Sequence, residues 1–281
     1  MLILHKATKY LHLDIQSNDQ NIDKNTIKRI IDSLNFVMGI EHQYFYWAIF
    51  NQENLYQVQI STDSKAPQES TFSAPYRRKK LQGDETTENM KLFISYYNHL
   101  KFHPNTLFPK LHARIYDSGT GYYYKHGLII SVIIEKILKD YYPISFKVVE
   151  IPAQVLKDFE DLKSHAIDLT TKTLIELLGR FIKSSTPTPE YNPNKMLQQL
   201  ERNNVIGPGS LKSWKSLRHK YTHGDDYNDN MQKAIGLIRH NQTIYYELIF
   251  NVIGYTGKYT SYSEKEGIKF KIYQPRKTPI S

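Results

Sequence analysis

The sequence of 281 residues contains no cysteine. Disulfide bonds, thiolate metal sites and cysteine nucleophiles are therefore excluded. The chain also lacks an apolar run of about 18 residues, which is the length that a membrane-spanning helix needs. The longest apolar stretch, from Leu128 to Ile134, is interrupted by Ser131, and the N-terminal apolar segment is too short for a secretory signal. These absences predict a cytoplasmic protein that has no membrane partner.

Positive charge is present in excess. The chain has 37 Lys and Arg against 28 Asp and Glu, which gives a formal net charge of +9. This balance favours an anionic partner such as nucleic acid, although many basic proteins bind none. The 22 tyrosines include candidates for stacking on bases, while most of them are expected to pack in the core or on the surface.

The pattern of apolar residues changes near residue 121. Before it, short aromatic and β-branched runs separated by polar turns predict strands. The three clearest runs cover residues 44–50, 56–60 and 91–97. One helix is predicted among them, because apolar residues recur at helical spacing from Ile27 to Val37 and Gly39 follows. We therefore predict a β-rich N-terminal domain over residues 1–121.

The pattern after Gly121 is helical. Residues 122–141 are apolar nearly all round, which predicts a central buried helix, with a strand as the alternative because many of them are β-branched. Further helices are predicted at about 152–181, 195–203, 210–221 and 229–253, followed by a strand-like tail at 255–273. The predicted fold class is thus α+β, with a β-rich N-terminal domain followed by a C-terminal α-helical bundle over residues 122–281.

The helix predicted near residue 210 has Ser210 as its N-cap and Gly224 as its terminating residue. Its end carries Arg218 and His223, which are five residues and so about 140° apart around an ideal helix. A continuous helix would aim these side chains at different faces. They can meet if the helix unwinds just before Gly224, or a second copy of the motif can complete the site across a dimer interface. The sequence leaves both arrangements open.

Arginine and histidine are residue types suited to phosphodiester chemistry. A guanidinium group is always charged, binds phosphate oxygens bidentately and stabilises charge that develops on phosphorus. Imidazole can accept or donate a proton near neutral pH. In RNA the 2′-hydroxyl supplies the nucleophile, so this chemistry needs no metal, no cofactor and no protein nucleophile. We accordingly predict no cofactor for this chain.

The spacing of Arg218 and His223, with the polar His219 after the arginine, resembles the R-x4-6-H motif of HEPN domains. These are α-helical bundles found in many prokaryotic ribonucleases of toxin–antitoxin and anti-phage systems. The order of the predicted domains looks like the ApeA-type arrangement and covers most of the chain. The resemblance implies a metal-independent endoribonuclease that cleaves RNA in a composite site of a homodimer. Some relatives have a tyrosine two residues after the histidine, where this chain has Asp225.

The same resemblance implies roles for individual residues. Arg218 would stabilise the phosphate, His223 would act as acid or base, and His219 would support the site. The N-terminal domain would sense a phage-derived or cellular trigger.

Other residues are weaker candidates. Glu135 lies in the most apolar helix and needs a partner if it is buried. Arg218 is the candidate for that partner, either in a structural ion pair or as a side chain that Glu135 orients. Lys220 is a candidate RNA contact, as is the basic run that consists of Arg77, Arg78, Lys79 and Lys80. A solvated loop is the alternative for that run.

Three other interpretations apply to the same motif. Arg218 can form an interhelical salt bridge beside Trp214, with His223 serving only as a helix C-cap. His219 and His223 can hold a metal ion at i and i+4, but no glutamate lies between them and no third ligand is evident, so we predict no metal site. Finally, the chain can be a non-catalytic HEPN-like module that dimerises or binds a nucleotide or partner.

Overall fold

A computed structural model gives the conformation of most of the chain. It describes residues 2–6, 11–15, 23–39, 46–51, 54–60, 73–76, 84–119, 122–142, 153–164, 172–176, 178–179, 192–222, 231–262 and 269–274. In the described ranges, the helices include α1 (Lys24–Met38), α2 (Asp84–Phe102), α3 (Phe108–Gly119), α4 (Tyr123–Tyr141), α5 (Ala153–Ser164), α6 (Pro193–Arg202), α7 (Ser210–Thr222) and α8 (Met231–Val252). The strands are β1 (Leu2–Lys6), β2 (Leu11–Ile15), β3 (Tyr46–Asn51), β4 (Asn54–Ile60), β5 (Gly257–Ser261) and β6 (Lys269–Tyr273).

The chain divides into two compact units. The larger consists of Met1–Ile134 with Leu200–Ser281, and the smaller is Glu135–Gln199. The smaller unit contains the end of α4, all of α5 and most of α6. It buries apolar side chains of α4 and α6, which include Ile137 and Leu197.

Helix α1 confirms the prediction made from its apolar spacing. The Asp23 side chain accepts a hydrogen bond from the Thr26 amide at 2.6 Å, which satisfies one of the amides that a helix start leaves without a partner. Gly39 ends the helix in the left-handed conformation with φ of 64°, which glycine adopts without a steric penalty. Ile27, Ile30 and other apolar residues of one face are buried.

The predicted β-rich N-terminal domain is wrong. Strands do occur where residues 44–50 and 56–60 predicted them, as β3 and β4, but they form only a two-stranded antiparallel hairpin. The pair β1 and β2 forms another. Helices α1, α2 and α3 precede residue 121, so the described part of the chain is mostly helical.

The third predicted strand, residues 91–97, lies inside helix α2. The buried residues of this helix include Leu92, Tyr96, His99 and Leu100, which follow a helical spacing of four, three and one. The Tyr96 ring stacks on the Phe36 ring of α1, with centroids 4.2 Å apart. The local run of aromatic and β-branched residues indicated a strand, and packing against α1 outweighs that weak preference.

Aromatic side chains form the core of the larger unit. Phe36 of α1 also meets the Tyr246 ring of α8 edge-on at 5.8 Å. Further along α8, Phe250 contacts the rings of Tyr255, Tyr259 and Tyr273. The domain boundary predicted at residue 121 stays a prediction, and side chains from both sides of it meet in this core.

The C-terminal half follows its predicted elements more closely. Residues 123–141 form a helix, so the strand alternative is wrong. The predicted final helix is present as α8, whose residues 241–250 are all buried. The strand-like tail is the antiparallel hairpin of β5 and β6, in which Gly257 pairs with Tyr273. In the described part of the chain, no helix has the length and apolar character that crossing a membrane requires.

Candidate functional site

Helix α7 starts in a way that the sequence did not predict. The predicted N-cap, Ser210, donates its hydroxyl to the Gly207 carbonyl at 2.7 Å instead of accepting a bond from the helix. The amide of Leu211 donates to the carboxylate of Glu201 in α6 at 2.8 Å. A carboxylate at a helix start satisfies a free amide and interacts favourably with the helix dipole. Glu201 therefore fixes the start of the helix that carries the candidate residues.

Trp214 anchors the middle of α7. Its side chain is fully buried, and its indole Nε1 donates to the backbone carbonyl of Ser131 in α4 at 3.1 Å. On the other side, the Asn241 side-chain amide of α8 donates to the Ser213 hydroxyl at 3.1 Å. These two bonds join α7 to two neighbouring helices and set its rotation about its own axis.

Arg218 lies on the exposed face of α7, one turn after Trp214. Its Cζ atom lies 5.2 Å from the centre of the Trp214 ring. A guanidinium group at this distance from an indole face is attracted by the ring electrons, and the interaction contributes about 0.5–1 kcal/mol at an exposed site. The buried indole thus restricts the position of an exposed cation. This arrangement suits a group that has to meet an anion.

The remaining residues of the motif are placed only in part. His219 is exposed on α7. Helix α7 ends at Thr222, so His223 follows the helix directly in the chain. His223 itself and Gly224 lie outside the described residues, as does the Lys220 side chain. The prediction that His223 lies in an accessible groove near Arg218 therefore stays a prediction.

The roles of the weaker candidates stay predictions. Glu135 is half-buried in α4 and belongs to the smaller compact unit, so its predicted pairing with Arg218 stays a prediction. The basic run at 77–80 lies outside the described residues. Within the described ranges, no group of three or more His, Asp or Glu side chains is arranged to hold a metal ion.

A buried polar cluster around His126 was not predicted. His126 Nδ1 lies 2.9 Å from the Ser118 hydroxyl, which itself donates to the Ile115 carbonyl. His126 Nε2 lies 3.2 Å from the Gln242 amide nitrogen. A neutral imidazole that donates through Nδ1 and accepts through Nε2 fits these contacts. Burial lowers the pKa of His126 to about 4.

This cluster resembles a serine–histidine pair, but it is not suited to catalysis. The Ser118 proton is directed to the Ile115 carbonyl and not to the imidazole. Ser118 and His126 are both buried, so a substrate cannot reach them. The cluster instead gives Gln242 a structural role, as a buried polar side chain that joins α8 to α4.

Glu247 is a second buried polar residue with a structural effect on α7. Its carboxylate accepts bonds from the Gly207 amide at 2.8 Å and from the Tyr259 hydroxyl at 2.5 Å. Burial raises the pKa of Glu247, while these two bonds and the nearby Lys271 act in the opposite direction. The carboxylate holds the loop from which α7 begins. A glutamate inside the otherwise apolar run of residues 244–250 was the available sequence signal.

No protein-family model matches the chain, and neither the curated proteins nor the solved structures contain a match. The resemblance of the Arg218 and His223 motif to HEPN domains therefore stays a prediction.

Proposed function

We propose that the chain is a metal-independent endoribonuclease of a prokaryotic defence or toxin type, with a HEPN-like site at the end of α7. The observation that carries this proposal is the exposed guanidinium of Arg218, held over the buried Trp214 ring one turn before the helix ends. His223 follows that end directly in the sequence. The net charge of +9 also favours an anionic substrate.

In the proposed reaction the 2′-oxygen of a ribose forms a bond to the adjacent phosphorus, and the bond from phosphorus to the 5′-oxygen breaks. The 2′-hydroxyl loses its proton to a base, and the leaving 5′-oxygen gains one from an acid. The products are a 2′,3′-cyclic phosphate and a 5′-hydroxyl. Arg218 stabilises the negative charge on the phosphate oxygens.

We assign the acid role to His223, because a position after a helix C-terminus favours the protonated imidazole. One histidine supplies one of the two proton transfers. In a homodimer, the second copy of the motif supplies the other. His219 and Lys220 bind neighbouring phosphates, and the N-terminal part of the larger unit senses a phage-derived or cellular trigger. The proposed location is the cytoplasm.

The first test is cleavage of end-labelled single-stranded RNA by the purified chain in excess chelator. We expect fragments with cyclic phosphate ends. The rate should fall by about 10²- to 10³-fold in Arg218→Ala, which removes charge stabilisation, and by about 10²- to 10⁴-fold in His223→Ala, which removes a proton donor. An RNA with a 2′-deoxyribose at the cleavage position should stay intact there, because it lacks the nucleophile.

Matched controls separate chemistry from charge and folding. Lys215→Ala removes a positive charge from an exposed position of the same helix, and His103→Ala removes an exposed histidine that directly follows α2. Both should cleave at nearly the wild-type rate. Activity that disappears with chelator in the wild type would support the metal interpretation. Equal rates in the wild type and in Arg218→Ala would contradict the proposal.

A non-catalytic dimerisation module is the second candidate function. The observation that favours it is an apolar patch on α4, where Leu128 is 37% and Val132 is 51% exposed. Exposed apolar side chains of this kind are frequent at protein interfaces. Intact RNA with and without the trigger, together with a dimer that dissociates in Val132→Asp, would favour this function over cleavage.

A further inference from the structure

Three successive tyrosines at the start of α4 are exposed, whereas most of the described tyrosines of the larger unit are buried. Tyr122 is 74% and Tyr124 57% exposed, with Tyr123 less exposed between them. The rings of Tyr122 and Tyr124 are stacked nearly in parallel, with centroids 5.5 Å apart and 13° between their planes. Other tyrosines, such as Tyr246, are buried and donate their hydroxyls to backbone carbonyls. The exposed pair therefore has no comparable part in the core.

We propose that Tyr122 and Tyr124, together with Lys125, form a platform that binds unpaired bases of single-stranded RNA. A tyrosine ring presents a flat face on which any base can stack. Because the two rings are already aligned, little conformational freedom is lost when a base binds. This proposal adds a binding surface for the RNA substrate of the proposed function. It rests on that function only in taking the bound strand to be the one that is cleaved.

The charges around the platform fit a polynucleotide. Lys125 is exposed beside Tyr124, where it can bind a phosphate. The first turn of α4 contains no acidic residue, so its amide groups and the positive end of the helix dipole favour an anion. The combination of stacked rings with positive charge is the one by which proteins bind single strands without base specificity.

Helix α4 links the platform to the helix of the candidate site. The Ser131 carbonyl that accepts a hydrogen bond from Trp214 lies seven residues after Tyr124 along α4. Seven residues correspond to about 10 Å along the helix axis.

The test measures binding and cleavage separately on the full chain. Binding of a fluorescein-labelled adenosine 12-mer is followed by anisotropy in the His223→Ala background, which prevents cleavage. Replacing both Tyr122 and Tyr124 by alanine should raise Kd at least tenfold, since stacking contributes about 5- to 150-fold per base. Replacing both by phenylalanine keeps the rings and should change Kd less than about twofold. Lys125→Gln should lower the slope of log Kd against log salt concentration by about 0.7.

The matched control is Phe102→Ala, which removes another exposed aromatic residue that neighbours a lysine, Lys101. It should leave Kd unchanged. The proposal is overturned if the double alanine variant binds RNA as the wild type does, or if Phe102→Ala loses as much affinity. It is also overturned if the double variant changes only the sedimentation coefficient, because the tyrosines then belong to an interface between two copies of the chain.

Failure of the proposed function gives a different result. If the wild type cleaves no RNA but the tyrosine variants still lose affinity, the platform stands and the nuclease assignment fails. If cleavage occurs, the double alanine variant should show a raised KM with kcat close to the wild-type value, because stacking stabilises the bound substrate and the transition state alike.

Discussion

Trp214 shows how one buried residue can determine the position of an exposed one. Its indole N–H is satisfied by the Ser131 carbonyl, so the large ring can be buried without an unpaired donor. Trp214 also affects the protein surface, because its ring face restricts the position of the Arg218 guanidinium. The sequence marks Trp214 only as part of an apolar face, whereas the structure gives it the additional effect of positioning the candidate catalytic arginine.

The buried histidines are a residue-scale feature with a consequence for stability. Burial lowers the pKa of both His99 and His126 to about 4, against about 6.5 in an unfolded chain. The folded state therefore disfavours protonation of these side chains. The stability that comes from burying the two neutral imidazoles is fully present above pH 6.5. It is lost as the pH falls from 6.5 towards 4, because the unfolded chain then binds protons that the folded chain does not.

We predict that the free energy of unfolding falls steeply between pH 6.5 and pH 4, with His126 accounting for about 3 kcal/mol of the loss. His126→Gln should be less stable than the wild type at pH 7 and should show a smaller slope with pH, because it removes one titrating group. Urea unfolding at a series of pH values measures both effects. If the free energy of unfolding of His126→Gln changes with pH as steeply as that of the wild type, the contribution assigned to His126 is wrong.

At the scale of elements, the largest error of the sequence interpretation concerns α2 and α3. A window of seven residues at 91–97 is too short to distinguish a strand from one face of a helix when aromatic residues dominate it. Helix α3 was not predicted, although its buried residues Phe108, Leu111, His112 and Ile115 follow helical spacing. Histidine among apolar residues weakened that pattern, and only packing against Phe36 shows that His112 belongs to the core.

Alanine substitutions at Gly39, which follows α1, and at Gly236, inside α8, should change the stability of the protein in opposite directions. Gly39 ends α1 with a positive φ, and a Cβ added there would lie 2.3 Å from the Ala74 Cα. Gly39→Ala should therefore lower the free energy of unfolding by more than about 2 kcal/mol. Gly236 lies in α8 with no atom within 4 Å of an added Cβ. Gly236→Ala should raise stability by about 0.5–1 kcal/mol.

Thermal and urea unfolding of the two alanine variants test this contrast directly. Each variant serves as the control for the other, because both add the same methyl group. Equal effects would mean that the conformation at Gly39 does not limit the stability of the end of α1. A loss of stability in Gly236→Ala would mean that the exposed side of α8 is covered in the intact protein.

At the scale of the whole molecule, we propose that two copies of the chain complete the site. His223 of one copy is assigned one of the two proton transfers, and the second copy of the motif is assigned the other. We therefore predict that the cleavage rate per mole of protein rises with protein concentration and levels off at the concentration where sedimentation shows a complete dimer. A rate per mole that is constant through the monomer–dimer transition would require a complete site within one subunit.

The sequence alone determined the features that depend on local periodicity and composition. Apolar spacing was sufficient for α1 and α8, because each has one clear pattern at helical spacing. Composition determined the excess of positive charge and the absence of thiol chemistry. The helix end that carries Arg218 was likewise predictable, since an amphipathic segment stops near Gly224.

Tertiary structure decided the features that depend on partners distant in sequence. Gln242 and Glu247 are isolated polar residues in the sequence, and their roles follow from His126, 116 residues away, and Gly207, 40 residues away. The helical state of residues 91–97 depends on the Phe36 ring. A buried polar group or an ambiguous apolar run takes its role from the groups packed against it, and local sequence does not contain that information.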